Sequence, residues 1–199
     1  MGENRNSNEL RLASICSHSY AFADEPAAVI WVQGCLKGCK GCMAPMWQSL
    51  NGGEKIDVDY LADYILSLNS IALLVVSGGE PLLQVASLRY FLRKVRVNSS
   101  LGLMLYTGYS DQEIARDKEK KRTINLFDIA VTGPYIEEMN KSQGLRGSNN
   151  QNVHIYNSAY AGLKDQILMG NRKVEVELSH KGYRIIGVPP RSVKLNKLF

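Results

Sequence analysis

Four short apolar runs, at residues 27–33, 71–76, 101–106 and 126–131, constrain this chain more than any other feature. Each is too short for a helix and too apolar for a strand with one wet face, so each reads as a strand buried on both sides. The stretches between them carry helical spacing. Residues 57–68 place Val58, Leu61, Ile65 and Leu68 three and four apart behind Asp57, a natural N-cap. Residues 82–97 set Leu88, Phe91, Leu92 and Val95 against a face of Arg89, Arg93, Lys94 and Arg96. Residues 111–122 read as a third helix, whose run DKEKKR is a solvated face. Strand, loop and helix in alternation build a parallel sheet from βα units.

The loops at the strand ends are less ordinary. GCLKGCKGCMAPMW at 34–47, SGGEP at 77–81, TGY at 107–109 and TGPY at 132–135 each come just after a buried run. In a right-handed βα array all of them gather at the C-terminal edge of the sheet, where α/β folds build their sites. The first loop carries Cys35, Cys39 and Cys42 within eight residues, with no fourth cysteine beside them. Three thiolates can hold three irons of a [4Fe-4S] cluster and leave the fourth open, and an open iron implies chemistry. Spacing leaves one alternative, a zinc knot completed by Cys16 or His18. A disulfide is the weakest reading, because no secretory signal is present and neighbouring loop cysteines would staple little.

A chain of 199 residues, 45% hydrophobic and 22% charged, has enough length for one substantial core and is expected to form one domain. No apolar run approaches a bilayer span and the first residues are polar, so a cytoplasmic, reducing location is expected with no membrane partner. The net charge of +5 is mild, and its excess sits among acidic neighbours, so nucleic-acid binding is not the expected use. Residues 1–9 read as loosely held and LNGGEK at 50–55 as a turn. Residues 136–151 lack periodicity and read as a long loop of the kind that carries function. A short strand at 153–156, a helix at 160–169 and a hairpin of 174–178 with 183–188, turning at His180, Lys181 and Gly182, complete the chain.

The pattern Cx3Cx2C followed by SGGEP one βα unit later resembles the radical S-adenosylmethionine (SAM) superfamily. WVQGC before the cysteines, APMW after them, YTGY, GPYIEE and LRGSNNQ narrow the likeness to the activating proteins of anaerobic ribonucleotide reductases. That resemblance implies an α/β fold, a partial βα barrel of five or six parallel strands with a C-terminal β-hairpin extension. A full eight-unit barrel takes about 250 residues, and an incomplete one leaves an open side. By the same likeness residues 1–26 form an N-terminal segment, 27–155 the radical SAM core, and 156–199 a helix and hairpin extension of the same domain.

Carried over by position, Cys35, Cys39 and Cys42 hold the cluster, and Gly78, Gly79 and Glu80 run beside the methionine part of SAM. Thr107 and Tyr109 lie at its ribose or sulfonium end, and Arg146, Ser148 and Asn150 sit in a loop near the site. Removing Arg146 is then expected to weaken turnover more than stability. The implied reaction is reductive cleavage of SAM to a 5′-deoxyadenosyl radical that draws a hydrogen atom from a glycine of a partner enzyme, an anaerobic ribonucleotide reductase. The electron comes from a donor such as flavodoxin or ferredoxin. The alternatives are a radical SAM enzyme for a small molecule or peptide, as deazapurine synthases are, or a non-catalytic cluster or zinc module. Two departures stand out. Gly41 and Met43 flank the third cysteine where many relatives place an aromatic residue, and Thr132 stands where close relatives often have Asp.

Overall fold

A computed structural model describes residues 8–179 and 182–191. Its centre is a seven-stranded sheet in the order β3-β1-β2-β4-β5-β6-β7. The strands are β1 Glu9–Ser19, β2 Ala27–Val32, β3 Glu54–Asp57, β4 Leu73–Gly78, β5 Gly102–Thr107, β6 Ile129–Thr132 and β7 Asn152–Ile155. The four buried runs form β2, β4, β5 and β6, and these pair in parallel. The expected partial barrel of five or six parallel strands needs correcting. Among the described residues only these four are parallel, because β1 joins β2, β3 joins β1 and β7 joins β6 in antiparallel fashion. A mixed α/β fold with a mostly parallel centre is what the chain forms.

Helices follow the strands on one face. In α1, Val58–Ser67, the buried residues are Val58, Leu61, Ala62 and Ile65, and the Asp57 carboxylate accepts from the amides of Asp59 and Tyr60 at 2.9 and 3.0 Å. In α2, Val85–Asn98, Leu88, Phe91, Leu92 and Val95 are buried as the spacing predicts. It starts three residues later than expected because Pro81–Leu83 forms a tight 3-10 turn capped by Glu80. The expected third helix is two, α3 Asp111–Arg116 and α4 Lys118–Ile124, since Asp117 leaves helical geometry to cap α4 through the amides of Glu119 and Lys120. These helices and alternate side chains of the strands make the larger core.

The opposite face holds a second core around Val29, Trp31, Val75, Met104 and Val131. It is covered by Phe22, by Leu145 of the long loop, by Ile167 of α5 (Leu163–Met169), and by Ile186 of a separate hairpin. That hairpin pairs β8, Val174–Ser179, with β9, Gly182–Gly187, as expected of residues 174–188. His180 and Lys181 of its turn, the N-terminal residues 1–7 and the basic tail 192–199 lie outside the described residues. Among the described residues no helix is long and apolar enough to cross a membrane.

Candidate active site

The C-terminal ends of β2, β4 and β5 stand side by side, with Val32 opposite Gly78 and Val76 opposite Leu105. Beyond β2 the chain makes the cysteine loop and returns at Trp47. The loop is closed by backbone bonds, from the Gly34 amide to Trp47 O at 2.9 Å and from the Cys35 amide to Gln48 O at 3.0 Å. Trp31 and Trp47 pack beneath it with ring centres 5.6 Å apart. A cavity of ≈ 460 Å³ opens above this edge, and the three cysteines, Ser77 to Glu80, and Thr107 all line it.

The loop is also held from outside. Lys37 lies 3.8 Å over the Tyr109 ring and its ammonium meets Glu113 at 2.7 Å. Lys37 and the Ser110 amide hold the Glu113 carboxyl down to about 2. Glu113 is half exposed, so that pair steadies the loop only modestly. Burial pushes the Cys35 thiol above its ordinary value, against the Lys37 amide that donates to Cys35 Sγ at 3.4 Å.

Glu80 is buried and fully engaged. Its carboxylate accepts from Thr107 Oγ1 at 2.7 Å, the Gly108 amide at 2.7 Å and the Leu82 amide at 2.9 Å. Burial raises its proton affinity while those donors pull the other way. Glu80 thus bolts the end of β4 to the end of β5 and caps the next turn, with Thr107 as its partner across the gap.

Of the residues that resemblance assigns to SAM, Gly78, Gly79, Glu80 and Thr107 come together on the cavity wall. The other four do not line it. Tyr109 is the platform under Lys37 and Lys120. Ser148 is buried, with its hydroxyl accepting from the Ile136 amide at 3.0 Å. Asn150 donates to Pro134 O at 2.8 Å. Arg146, only 8% exposed, donates to the carbonyls of Asn149, Gln151 and Leu168 at 2.9, 3.1 and 3.3 Å. It braces the long loop against α5. The expectation for Arg146 therefore reverses: Arg146→Ala strips donors from three carbonyls, the one on Gln151 buried and the other two partly so, at a cost of about 3 kcal/mol. Thermal denaturation of the apoprotein should show a melting temperature lower by roughly 6–12 °C, with any loss of turnover a consequence of that.

Gly147 and Gln151 of the same loop reach the cavity instead, together with Tyr135, Met43 and Tyr106. Met43 lies against Gly147, so it occupies the chamber beside the third cysteine. The place of a side chain on Gly41 is taken by the Glu137 carboxylate, whose atoms stand 2.5–2.9 Å from where a Cβ would be. Thr132 faces away from the cavity lining, donating to Asp111 Oδ1 at 2.6 Å, while His154 Nε2 meets the same oxygen at 2.9 Å and Asn152 donates to Oδ2 at 2.8 Å. Burial works to raise the Asp111 carboxyl, and these partners together hold it below its usual range. A carboxylate is thus present behind Thr132, supplied by α3 and spent on tying α3 to β6 and β7.

Cys16 is buried in β1 with its thiol on the His18 carbonyl at 3.2 Å, and His18 packs edge-on to Tyr20. Neither lines the cavity. Among the described residues no three His, Cys, Asp or Glu side chains converge on one metal ion. Three soft thiolates around a chamber floored by glycine backbone suit a cluster with one open iron.

The family described as a 4Fe-4S single cluster domain matches residues 27–154. The anaerobic ribonucleoside-triphosphate reductase-activating protein of Haemophilus influenzae is 31% identical over 135 residues, 64% of this chain and 86% of that protein. The protein of the same name from Vibrio cholerae is 31% identical over 137 residues, again 64% and 86%. A crystal structure of QueE from Escherichia coli overlaps half of this chain and 52% of its own, at 15% identity and a TM-score of 0.34, too slight a likeness to bear on the fold. With its cysteine loop and SGGEP inside the matched region, the chain belongs to the radical SAM family of anaerobic ribonucleoside-triphosphate reductase-activating proteins, enzymes that work with a single 4Fe-4S cluster and SAM.

Proposed function

We propose that this enzyme cleaves SAM reductively and uses the resulting radical to place a glycyl radical on a partner, the anaerobic ribonucleoside-triphosphate reductase named by its relatives. The observation that carries this reading is the meeting of Cys35, Cys39 and Cys42 with the backbone of Ser77 to Glu80 around one chamber. Cys35, Cys39 and Cys42 would hold the cluster, which would supply the one-electron reduction that splits SAM into methionine and the 5′-deoxyadenosyl radical needed to take a hydrogen atom from the glycine. The electron is supplied from outside by a small donor such as flavodoxin or ferredoxin.

The chain's own residues bind, orient and exclude. Cys35, Cys39 and Cys42 supply the thiolates. Gly78 and Gly79 let the end of β4 pack directly on the backbone of Trp31, Val32, Gly34 and Trp47, which seats the cysteine loop beside the chamber, and Glu80 with Thr107 fixes the spacing between the two strand ends that flank SAM. Trp31, Phe22 and Met43 line the chamber with apolar surface that keeps water from a reactive radical. Tyr109, Arg146, Ser148 and Asn150 act one step away, by holding the cysteine loop and the long loop in place.

The test is anaerobic. The protein is reconstituted with iron and sulfide, reduced, and its electron paramagnetic resonance spectrum recorded with and without SAM, followed by assay of 5′-deoxyadenosine and of a glycyl radical on the reductase. A cluster signal shifted by SAM, 5′-deoxyadenosine and a glycyl doublet are expected. SAM cleavage without a glycyl radical would move the reading to a small-molecule or peptide substrate, and a cluster indifferent to SAM would end it.

A further inference from the structure

The β8–β9 hairpin lies beyond residue 154, outside the region that matches the family, and its two faces are the reverse of what a soluble hairpin needs. The face with Glu175, Glu177, Arg184 and Ile186 is turned to the body of the protein. Glu175 accepts from the Tyr20 amide at 2.7 Å, Arg184 pairs with Glu177 and donates to Ser14 Oγ at 2.6 Å, and Ile186 is buried in the second core. The other face carries Val174, Val176 and Leu178 on β8, and they are 36, 59 and 80% exposed. On β8 the apolar side chains point out, while the glutamates share the face that meets the body through Tyr20, Ser14 and Ile186.

Register shows where that outer face leads. Val174 stands opposite Gly187, Val176 opposite Ile185 and Leu178 opposite Tyr183, so all six share one face. Gly187, Ile185 and Tyr183 line the cavity that holds the three cysteines, and Arg184 reaches the same cavity from the opposite face of β9, over the Trp31 ring. The apolar face is therefore one surface, of which the β9 half walls the radical chamber and the β8 half continues outside it. Among the described residues β8 pairs only with β9, which leaves its outer edge with unpaired backbone groups. A strand edge with free backbone groups is a template for a further strand, and the two charges of β8, Glu175 and Glu177, lie on the face away from Val174, Val176 and Leu178.

We propose that β8 docks an extended segment of the protein substrate, which adds as a strand to the free edge and lays alternate apolar side chains over Val174, Val176 and Leu178. The inference rests on the glycyl-radical reading, because continuity with the chamber is what selects the occupant. A segment held along β8 runs on across Ile185 and Tyr183 to the cavity mouth. Main-chain pairing gives affinity without demanding a particular sequence, and the apolar strip sets the phase in which the chain is presented. Glycine offers no side chain to grip, so binding energy has to come from the residues on either side of it, and β8 supplies a place for them.

The experiment uses the full chain with its cluster, the anaerobic reductase as partner, and the double variant Val176→Glu with Leu178→Glu. Wild type and variant should have the same melting temperature, the same cluster content and the same 5′-deoxyadenosine formation without partner. The reductase concentration that gives half of the maximal glycyl radical should rise about tenfold, and Val176→Ile with Leu178→Ile should restore it. An unchanged half-saturating concentration overturns the proposal. So does a loss of partner-free SAM cleavage, which would place the strip in the chemistry. A dimer in sedimentation that the Glu variant splits, with partner response unchanged, would overturn it in favour of a second copy on this face. If wild type itself forms 5′-deoxyadenosine but no glycyl radical on the reductase, the underlying reading has failed and the proposed occupant of β8 falls with it.

Discussion

Cys39→Ala is expected to drop SAM cleavage to the background of cluster-free protein while the apoprotein melts within about 2 °C of wild type, the shift of a sub-kcal/mol change in a chain of this size. Both halves of that result come from where Cys39 sits. It is one of three thiols on the cavity wall and none is spare, because Cys16 is buried in β1 on the carbonyl of His18. With two thiolates left the donor set no longer holds a cubane. The fold does not depend on the thiol, since Cys39 is half-buried in a loop closed by the Gly34 to Trp47 and Cys35 to Gln48 backbone bonds. Iron and sulfide content, 5′-deoxyadenosine by chromatography and thermal denaturation by circular dichroism read the outcomes separately. Cleavage retained in Cys39→Ala would remove the cluster from this loop. A large drop in melting temperature would make Cys39 a structural residue instead.

Much of the fold is legible because buried parallel strands write themselves as continuous apolar runs. β2, β4, β5 and β6 are covered on both faces by the two cores, and nothing in their sequences has to alternate. β1 fails that test for a physical reason. Its pairing with β2 slips between Leu12 and Ser14 and again between Cys16 and Ser19. Each bulge reverses which side chains face the core, so Leu10 and Leu12 begin an alternation that the rest of the strand does not keep. The number of parallel strands is misjudged for a related reason. A short apolar run such as 153–156 has no mark of direction, and β7 turns out antiparallel because the long loop brings it back along β6.

At the site, the residues whose places are legible are those that a strand end carries directly. Cys35, Gly78, Gly79, Glu80 and Thr107 sit within a few residues of β2, β4 and β5, and strand register alone puts them together. The loop 136–151 offers no such rule. Which of its polar residues faces the chamber is settled by hydrogen bonds inside the loop, and these turn Arg146, Ser148 and Asn150 to carbonyls and amides while Gly147 and Gln151 line the cavity. The hairpin wall is a different omission. Its alternation of Val174, Glu175, Val176, Glu177 and Leu178 is plain in the sequence, but a two-faced pattern does not say that the charged face is the one turned inward.

Gly79→Ala separates a structural from a ligand-binding role more sharply than any other single change. Gly79 has no positive φ, so backbone strain is not the issue, whereas Gly38 at φ 58° does carry that constraint. Space decides between them. A Cβ on Gly79 would lie 2.3 Å from Gly34 O, 2.8 Å from Gly34 C and 2.9 Å from Trp47 O, all backbone atoms that have no rotamer to yield. The same methyl on Gly38 meets nothing within 4 Å. At Gly79 three pieces of chain cross: its own amide donates to Val32 O at 2.7 Å, the Glu80 amide donates to Gly34 O at 2.8 Å, and the Gly34 amide donates to Trp47 O at 2.9 Å. Pushing Gly34 aside loosens those bonds and displaces Cys35, the next residue. Overpacking and weakened bonds together should cost about 3–4 kcal/mol, or roughly 6–16 °C in the melting temperature of the apoprotein. Gly38→Ala should cost only about 1–2 kcal/mol, the penalty of a left-handed alanine. If Gly79 served only to let SAM approach, the apoprotein would melt like wild type and only SAM affinity would fall. A lower apoprotein melting temperature together with poor cluster uptake in Gly79→Ala would instead make SGGEP the seam that holds the cysteine loop to the sheet, with its openness to SAM a consequence of how tightly that seam is packed.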